Sequence, residues 1–466
     1  MQFRHQNHCA IPIATDTVAI EPFPPQEIVV NRRKFLGSAA AGLVLQHAAI
    51  ANSAAPPPPA RHSHTPEIQQ QLRSLQSQYH ADIFDDFLPF MEKFVIDPVY
   101  GGFMCSTGGN GMHTDTNKAA WYEGRGIWVY SFLYNHLARE QKYLDVARRS
   151  ADFILSLRPK TPDTTWPKSF SRDGKKTSPP DVEVYGNMFI AEGLAEFSVA
   201  TNDSQYWNIA REIFLSSVRI YDREDYNPLI GRTYLTPDAR PFPGARIQGV
   251  WMTFVRTATQ MLRIRPDAEI EAIAHRAVDA VVNHHWNPRF NLNNELLNHD
   301  LSRPTNEYEQ LVYTGHGIET LWMMMDEATR RRDAALFATL TDRFQRHVEV
   351  SRDRIYDGVF RDLMHVDNNT WTLDKVLWAQ CEVTVGALLA YQETGAPWAW
   401  DLFRQFDTYT RTKFSLKSFG IPLWMYAADR QVTPESYFKQ PARVEHYHYP
   451  RHLMLNLLRI NSLLQV

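Results

Sequence analysis

Two histidines, His316 and His448, stand 132 residues apart. A neutral imidazole titrates near pH ~6.5, so each can give or take a proton at neutral pH. Glu319 follows His316 at i+3, on the same side of a helix, where its carboxylate can fix the ring orientation and tautomer. Arg125 is a permanent cation with a planar fork of donors, suited to an oxygen that gains negative charge. Trp121, Trp251 and Trp378 are flat faces of the sort that stack on sugar rings, and Tyr185, Asn187 and Glu382 add polar groups. The cluster Glu445, His446, His448 and His452 offers metal-ligand atoms. Its histidines are poorly spaced for a metal, however, and no metal or cofactor is expected. The chemistry these residue types favour is proton transfer on a small polar molecule.

These side chains recur at equivalent places along the chain. From about Thr65 onward the apolar pattern is helical, with Leu72, Leu75, Tyr79, Ile83, Phe87, Met91 and Phe94 close to a three/four spacing. Paired helical stretches follow, and their leading helices begin near Tyr122, Tyr185, Val250, Tyr313, Trp378 and Tyr447. The steps between these starts are 63, 65, 63, 65 and 69 residues, a near-constant architectural repeat. One opening helix, five hairpins and one closing helix make six hairpins if the ends pair. The expected fold is therefore all-α, a closed (α/α)6 barrel in one domain over residues 65–466, with an open solenoid as the competing arrangement. Loops such as Asp97–Phe103, Arg172–Lys175 and Tyr356–Phe360 carry Gly and Asp, and predict short β-hairpins on one face. Polar and aromatic residues in the first turns of the leading helices would then converge on one pocket. His316 and His448, two repeat steps apart, would face it from directions about 120° apart.

Composition narrows the partners. The chain has 466 residues, 49 Lys+Arg and 52 Asp+Glu, for a formal charge of −3. No basic excess exists to neutralise phosphates, so nucleic acid is not an expected partner. Three cysteines exclude a disulfide scaffold or a four-cysteine metal site. Residues 1–64 read as a signal region and linker. Arg32-Arg33 precedes the apolar run Phe35–Ile50, then a small-x-small site at Ala49-Ile50-Ala51 and the spacer Pro56–Pro59. A twin-arginine-type export signal and a periplasmic mature protein are expected, with an N-terminal membrane anchor as the alternative. At about 16 residues the run is shorter than the ~20 a span requires.

The motifs carry a resemblance. Thr314-Gly315-His316-Gly317-Ile318-Glu319 resembles the Gly-His-x-Ile-Glu segment of the N-acylglucosamine 2-epimerase family, and Tyr447-His448-Tyr449-Pro450-Arg451 its aromatic-His-x-Pro-Arg segment. Glu123–Tyr130 is similar to its Gly-Arg-x-x-Trp helix, and Trp378–Glu382 with Ala387–Tyr391 to its Trp-x-x-x-Glu helix. Phe189–Glu196 and Asp97–Phe103 are also family-like, so the matches run from Asp97 to Arg451 in the family's order. Two departures are Leu377, where members often carry Trp, and Val250-Trp251-Met252-Thr253, where many place Asn and His beside Met.

The resemblance implies the (α/α)6 barrel and a sugar 2-epimerase or aldose–ketose isomerase that needs no cofactor. It implies that His316 and His448 are the acid/base pair, Arg125 a ligand of the substrate oxygen, and Glu319 and Glu382 supporting carboxylates. The expected partner is a small sugar, and a homodimer is the candidate assembly. Two other classes stay open: an inverting glycosidase with Glu319 and Glu382, or an aspartate from the loops, as its carboxylates, and a sugar-binding protein without turnover.

Overall fold

The computed structural model describes residues 64–108, 110–228, 240–439 and 443–465. The stretch expected to be a signal region, and most of the expected linker, therefore lie outside the described residues. Helix α1 (Pro66–Ala81) opens on a Thr65 cap with Pro66 in its first turn, and continues through π-type turns to Val95. Five helical hairpins follow: α2 (Ala120–His136) with α3 (Gln141–Ser156), α4 (Tyr185–Thr201) with α5 (Ser204–Tyr221), α6 (Gln248–Ile264) with α7 (Ala268–Asp279), α8 (Thr314–Arg331) with α9 (Ala334–Ser351), and α10 (Leu377–Thr394) with α11 (Pro397–Phe414). The chain closes on α12 (His448–Leu464), which packs against α1 as the sixth pair.

Burial decides which helix of each pair lies inside. The helix α4 is buried along almost its whole length, from Tyr185 to Ala200, whereas α3 buries one stripe: Tyr143, Leu144, Ala147, Ala151 and Ile154. The inner helices α2, α4, α6, α8, α10 and α12 contact one another in that order, and α12 returns to α2. The expected closed (α/α)6 barrel is what forms. No helix among the described residues is long and apolar enough to cross a membrane.

Short turns join the two layers. The helices α4 and α8 end on left-handed Asn202 and Arg332, and Asp203, Asp267 and Asp333 cap the outer helices that follow α4, α6 and α8 through backbone N–H groups. At the other end the joints form five two-stranded antiparallel ladders among the described residues, including β1 (Lys118–Ala119) with β2 (Ser169–Phe170), and β3 (Arg246–Ile247) with β6 (Leu296–Leu297). Strands β4 (Trp286–Asn287) and β5 (Leu292–Asn293), β7 (Asp362–His365) and β8 (Thr370–Thr372), and β9 (Lys375–Val376) and β10 (Ala427–Ala428) make the other three.

One device is used twice to lock these joints. Asp97 lies 3.0 Å from the Lys118 ammonium, with both side chains fully buried, and also takes two hydrogen bonds from Arg172 and one from the Val99 N–H. Asp353 repeats this with Lys375, also at 3.0 Å, Arg430 and the Ile355 N–H. The partners hold the Asp97 carboxyl far below the usual range, against its burial. Removing one partner strands a buried charge. Lys118→Met is expected to lower unfolding stability by about 3 kcal/mol in urea melts; a loss under about 1 kcal/mol would contradict this role.

Candidate active site

The first turns of the inner helices meet at the strand-bearing end of the ring, around a cavity of about 510 Å³. Trp121, Arg125, Tyr185, His316, Glu319, Trp378 and His448 line it. Asn187, Trp251 and Glu382 do not. Asn187 is buried and accepts a 2.9 Å hydrogen bond from the Trp166 N–H. Trp251 packs edge-on against Tyr221 and Phe254, while Met252 and Thr253 face the cavity. One residue turns a helix by about 100°, which separates Trp251 from Met252. Glu382 lies behind the wall and acts on it through Arg451.

Both imidazoles lie against one indole. His316 and His448 have ring centroids 5.9 Å and 5.6 Å from that of Trp378. Behind His316, Glu295 Oε1 is 2.8 Å from Nδ1. Glu295 is fully buried and held by its backbone, which donates to Leu311 O and accepts from the Gln248 N–H. Burial works against a charged His316, but the Glu295 carboxylate prevails, and the pKa lies above 6.5. For His448 the balance is opposite. Burial, with the charge of Arg125, takes its pKa below 6.5 although Glu445 and Glu319 pull upward. Glu445 Oε1 is 3.2 Å from His448 Nδ1 but poorly aligned for a hydrogen bond, so this contact is mainly coulombic.

Arg125 is buried with its guanidinium over Phe189 at 4.0 Å, Tyr447 at 4.8 Å and Trp121 at 5.4 Å. It donates no hydrogen bond to any described residue, and its Nε is buried without a partner. The stacking is possible because α2 and α4 touch backbone to backbone: a Cβ on Gly124 would sit 2.4 Å from the Ile190 nitrogen, and one on Gly193 2.5 Å from the Gly124 oxygen. A cation fixed by ring faces keeps its donors for a ligand.

Below the histidines, Arg451 Nη2 donates to Glu319 Oε1 and Glu382 Oε1, each at 2.6 Å. Glu382 also accepts from the Trp322 Nε1–H at 2.5 Å. Arg451 and His448 hold the Glu319 carboxyl down despite its burial, while burial and the charge of Glu319 push the Glu382 carboxyl up. Glu319, Glu382 and His448 bring ligand atoms within 4.8 Å of one another. A cation there would have to share both carboxylates with a guanidinium already bound to them.

Several residues at the site gave no sequence signal. Glu295 and Asp362 sit in strands and loops outside any helical period, and Asp362, close enough to His316 to feel its charge, has its carboxyl raised to about 6 by burial. Glu445 and Arg451 were visible beside His448 in the sequence, but not their roles: Glu445 contacts His448 itself, and the carboxylate partners of Arg451 come from other helices. Glu123, in a family-like segment, is structural: it is buried, accepts from the Phe103 N–H and Ser150 Oγ, and does not line the cavity.

The cavity thus holds two imidazoles whose proton affinities are shifted in opposite directions and a guanidinium that donates no hydrogen bond to any described residue. The chain belongs to the N-acylglucosamine 2-epimerase family, whose family model matches residues 101–450. The bovine N-acylglucosamine 2-epimerase is 25% identical over 416 residues, covering 85% of this chain and 93% of the relative. Among solved structures, the cellobiose 2-epimerase from Bacillus thermoamylovorans aligns with a TM-score of 0.70 at 15% identity, over 83% of this chain and 99% of that one. A D-mannose isomerase aligns with a TM-score of 0.63 at 15% identity, over 84% and 99%. The structural likenesses show the shared fold.

Gly249 gives His316 its room. A Cβ there would lie 2.8 Å from the His316 Nδ1 and 2.7 Å from the Tyr185 hydroxyl. Gly249→Ala is expected to displace the His316 ring and break its contact with Glu295, with the helical circular dichroism retained. A crystal structure of the variant with the ring in place would contradict this.

Proposed function

We propose that the cavity interconverts sugars by proton transfer at C2 of an open-chain aldose. The oppositely shifted proton affinities of His316 and His448, both lining the cavity against Trp378, carry the proposal. Paired titratable groups pushed apart by their surroundings divide into acid and base. His448, neutral at rest, takes the C2 proton. Charge moves onto O1, where Arg125 stabilises the enediolate. His316, the more basic of the two, delivers a proton from its protonated form. Delivery to the opposite face of C2 inverts that carbon and gives the epimer, whereas delivery to C1, with the O2 proton passing to O1 as C2=O forms, gives the ketose. Positioned acid/base groups contribute about 10²–10⁴-fold each, and an oxyanion donor about 10²–10³-fold. The sugars in the relatives' names (N-acylglucosamine, cellobiose and mannose) share the aldose C1–C2 unit on which these steps act.

The glycosidase alternative with Glu319 and Glu382 as its pair loses its support. Inverting hydrolysis needs carboxyl groups roughly 6.5–9.5 Å apart with a water between them. Oxygens of Glu319 and Glu382 lie within 4.8 Å of each other, and Arg451 binds both.

Incubation with aldoses, N-acetylhexosamines and disaccharides in heavy water is expected to place deuterium at C2 of an epimer or C1 of a ketose, read by NMR. Release of reducing ends from an oligosaccharide without exchange would overturn the proposal. The pH profile of kcat/KM should be bell-shaped, falling in acid as His448 is protonated and in alkali as His316 loses its proton. Glu295→Gln removes the charge that raises the His316 pKa, so the alkaline limb should move to lower pH while the acid limb stays. An unmoved alkaline limb would contradict the assignment.

A further inference from the structure

A second cavity, of about 800 Å³, opens at the other end of the inner helices. Its walls come from their C-terminal turns, and it touches the first cavity only at Arg256, which lines both. Four arginines face it, Arg256, Arg263, Arg265 and Arg459, against the carboxylates Asp326 and Glu196. Three of the four are engaged. Arg256 pairs with Glu192 at 3.1 Å, Arg263 binds Asp326 at 2.7 Å and 3.0 Å, and Arg265 bonds Asn208 and lies 3.5 Å from the Trp207 ring.

Arg459 differs. It donates no hydrogen bond to any described residue, and its Nη1 is shut off from solvent. Asp326 and Glu393 are near enough to feel its charge, yet neither accepts from it. Burial costs it enough to bring its pKa down to about 10. Cations at helix C-termini often answer the backbone dipole, which accounts for Arg263 and Arg265 at the end of α6. Arg459 lies more than a turn before the end of α12 and bonds no carbonyl. Arg459 is partly exposed, and a cation with one donor shut off from water and no acceptor for it gains from an anion that pairs with it. Beside it the wall is apolar, with Phe132, Ile264, Leu455 and Leu458.

We propose that this cavity is a second ligand site, for a small organic anion whose charge pairs with Arg459 and whose apolar body packs on Phe132, Ile264 and the two leucines. The site is separate from the sugar cavity, and its test reads binding, so it stands or falls independently of the proposed reaction.

Phenyl phosphate supplies both features, inorganic phosphate the charge alone, and benzyl alcohol the body alone. Calorimetry on the full chain is expected to show phenyl phosphate binding at least about tenfold more tightly than either. Arg459→Met should weaken it about tenfold or more. Arg263→Gln, on the exposed rim, should weaken it severalfold, and it decides the matter if the first variant does not fold. No binding of phenyl phosphate at about 10 mM, equal binding of phosphate or benzyl alcohol, or unchanged affinity in a folded Arg459→Met or in Arg263→Gln would overturn the proposal.

Discussion

The 2.8 Å contact between Glu295 and His316 decides how the site is charged. Both imidazoles are buried, and both lie in the first turn of a helix, where exposed N–H groups disfavour a cation. Left to burial and the helix ends, both would be neutral and would compete for one role. A carboxylate pinned behind His316 reverses the balance there. Burial and the guanidinium of Arg125 preserve it at His448. The two rings thus differ before any substrate arrives, which is the asymmetry that the proposed acid and base roles use.

The ring exists around this asymmetry. Glu295 stands at the end of the β3–β6 joint, and its backbone bonds run to α6 and to the loop before α8, so three elements set the position of one carboxylate. Gly124 and Gly193 bring α2 and α4 close enough for Arg125 to be held by ring faces. Arg451 ties the carboxylates of α8 and α10 to α12. Each of these contacts joins different repeats, which is why a closed ring can place them and a single hairpin cannot.

Much of the architecture was legible in the sequence. The near-constant step between leading helices marked the inner layer, and each of those helices is the inner member of its pair. First-turn residues converge because the ring points them inward, so His316, His448, Arg125 and Trp378 share a cavity. The rule fixes height along a helix but not rotation about it. That is why Trp251 faces a helix seam and Met252 the cavity. Glu295 was not legible, since it lies in an irregular joint with no period to reveal it, and only the pairing of Leu296 with Ile247 brings it to α8.

The most direct measurement is the titration of the two imidazoles by NMR of the histidine-labelled protein, each resonance assigned by its own substitution. The account predicts that His316 titrates above pH 6.5 and His448 below it. The same midpoint for both rings, or the reverse order, would contradict it.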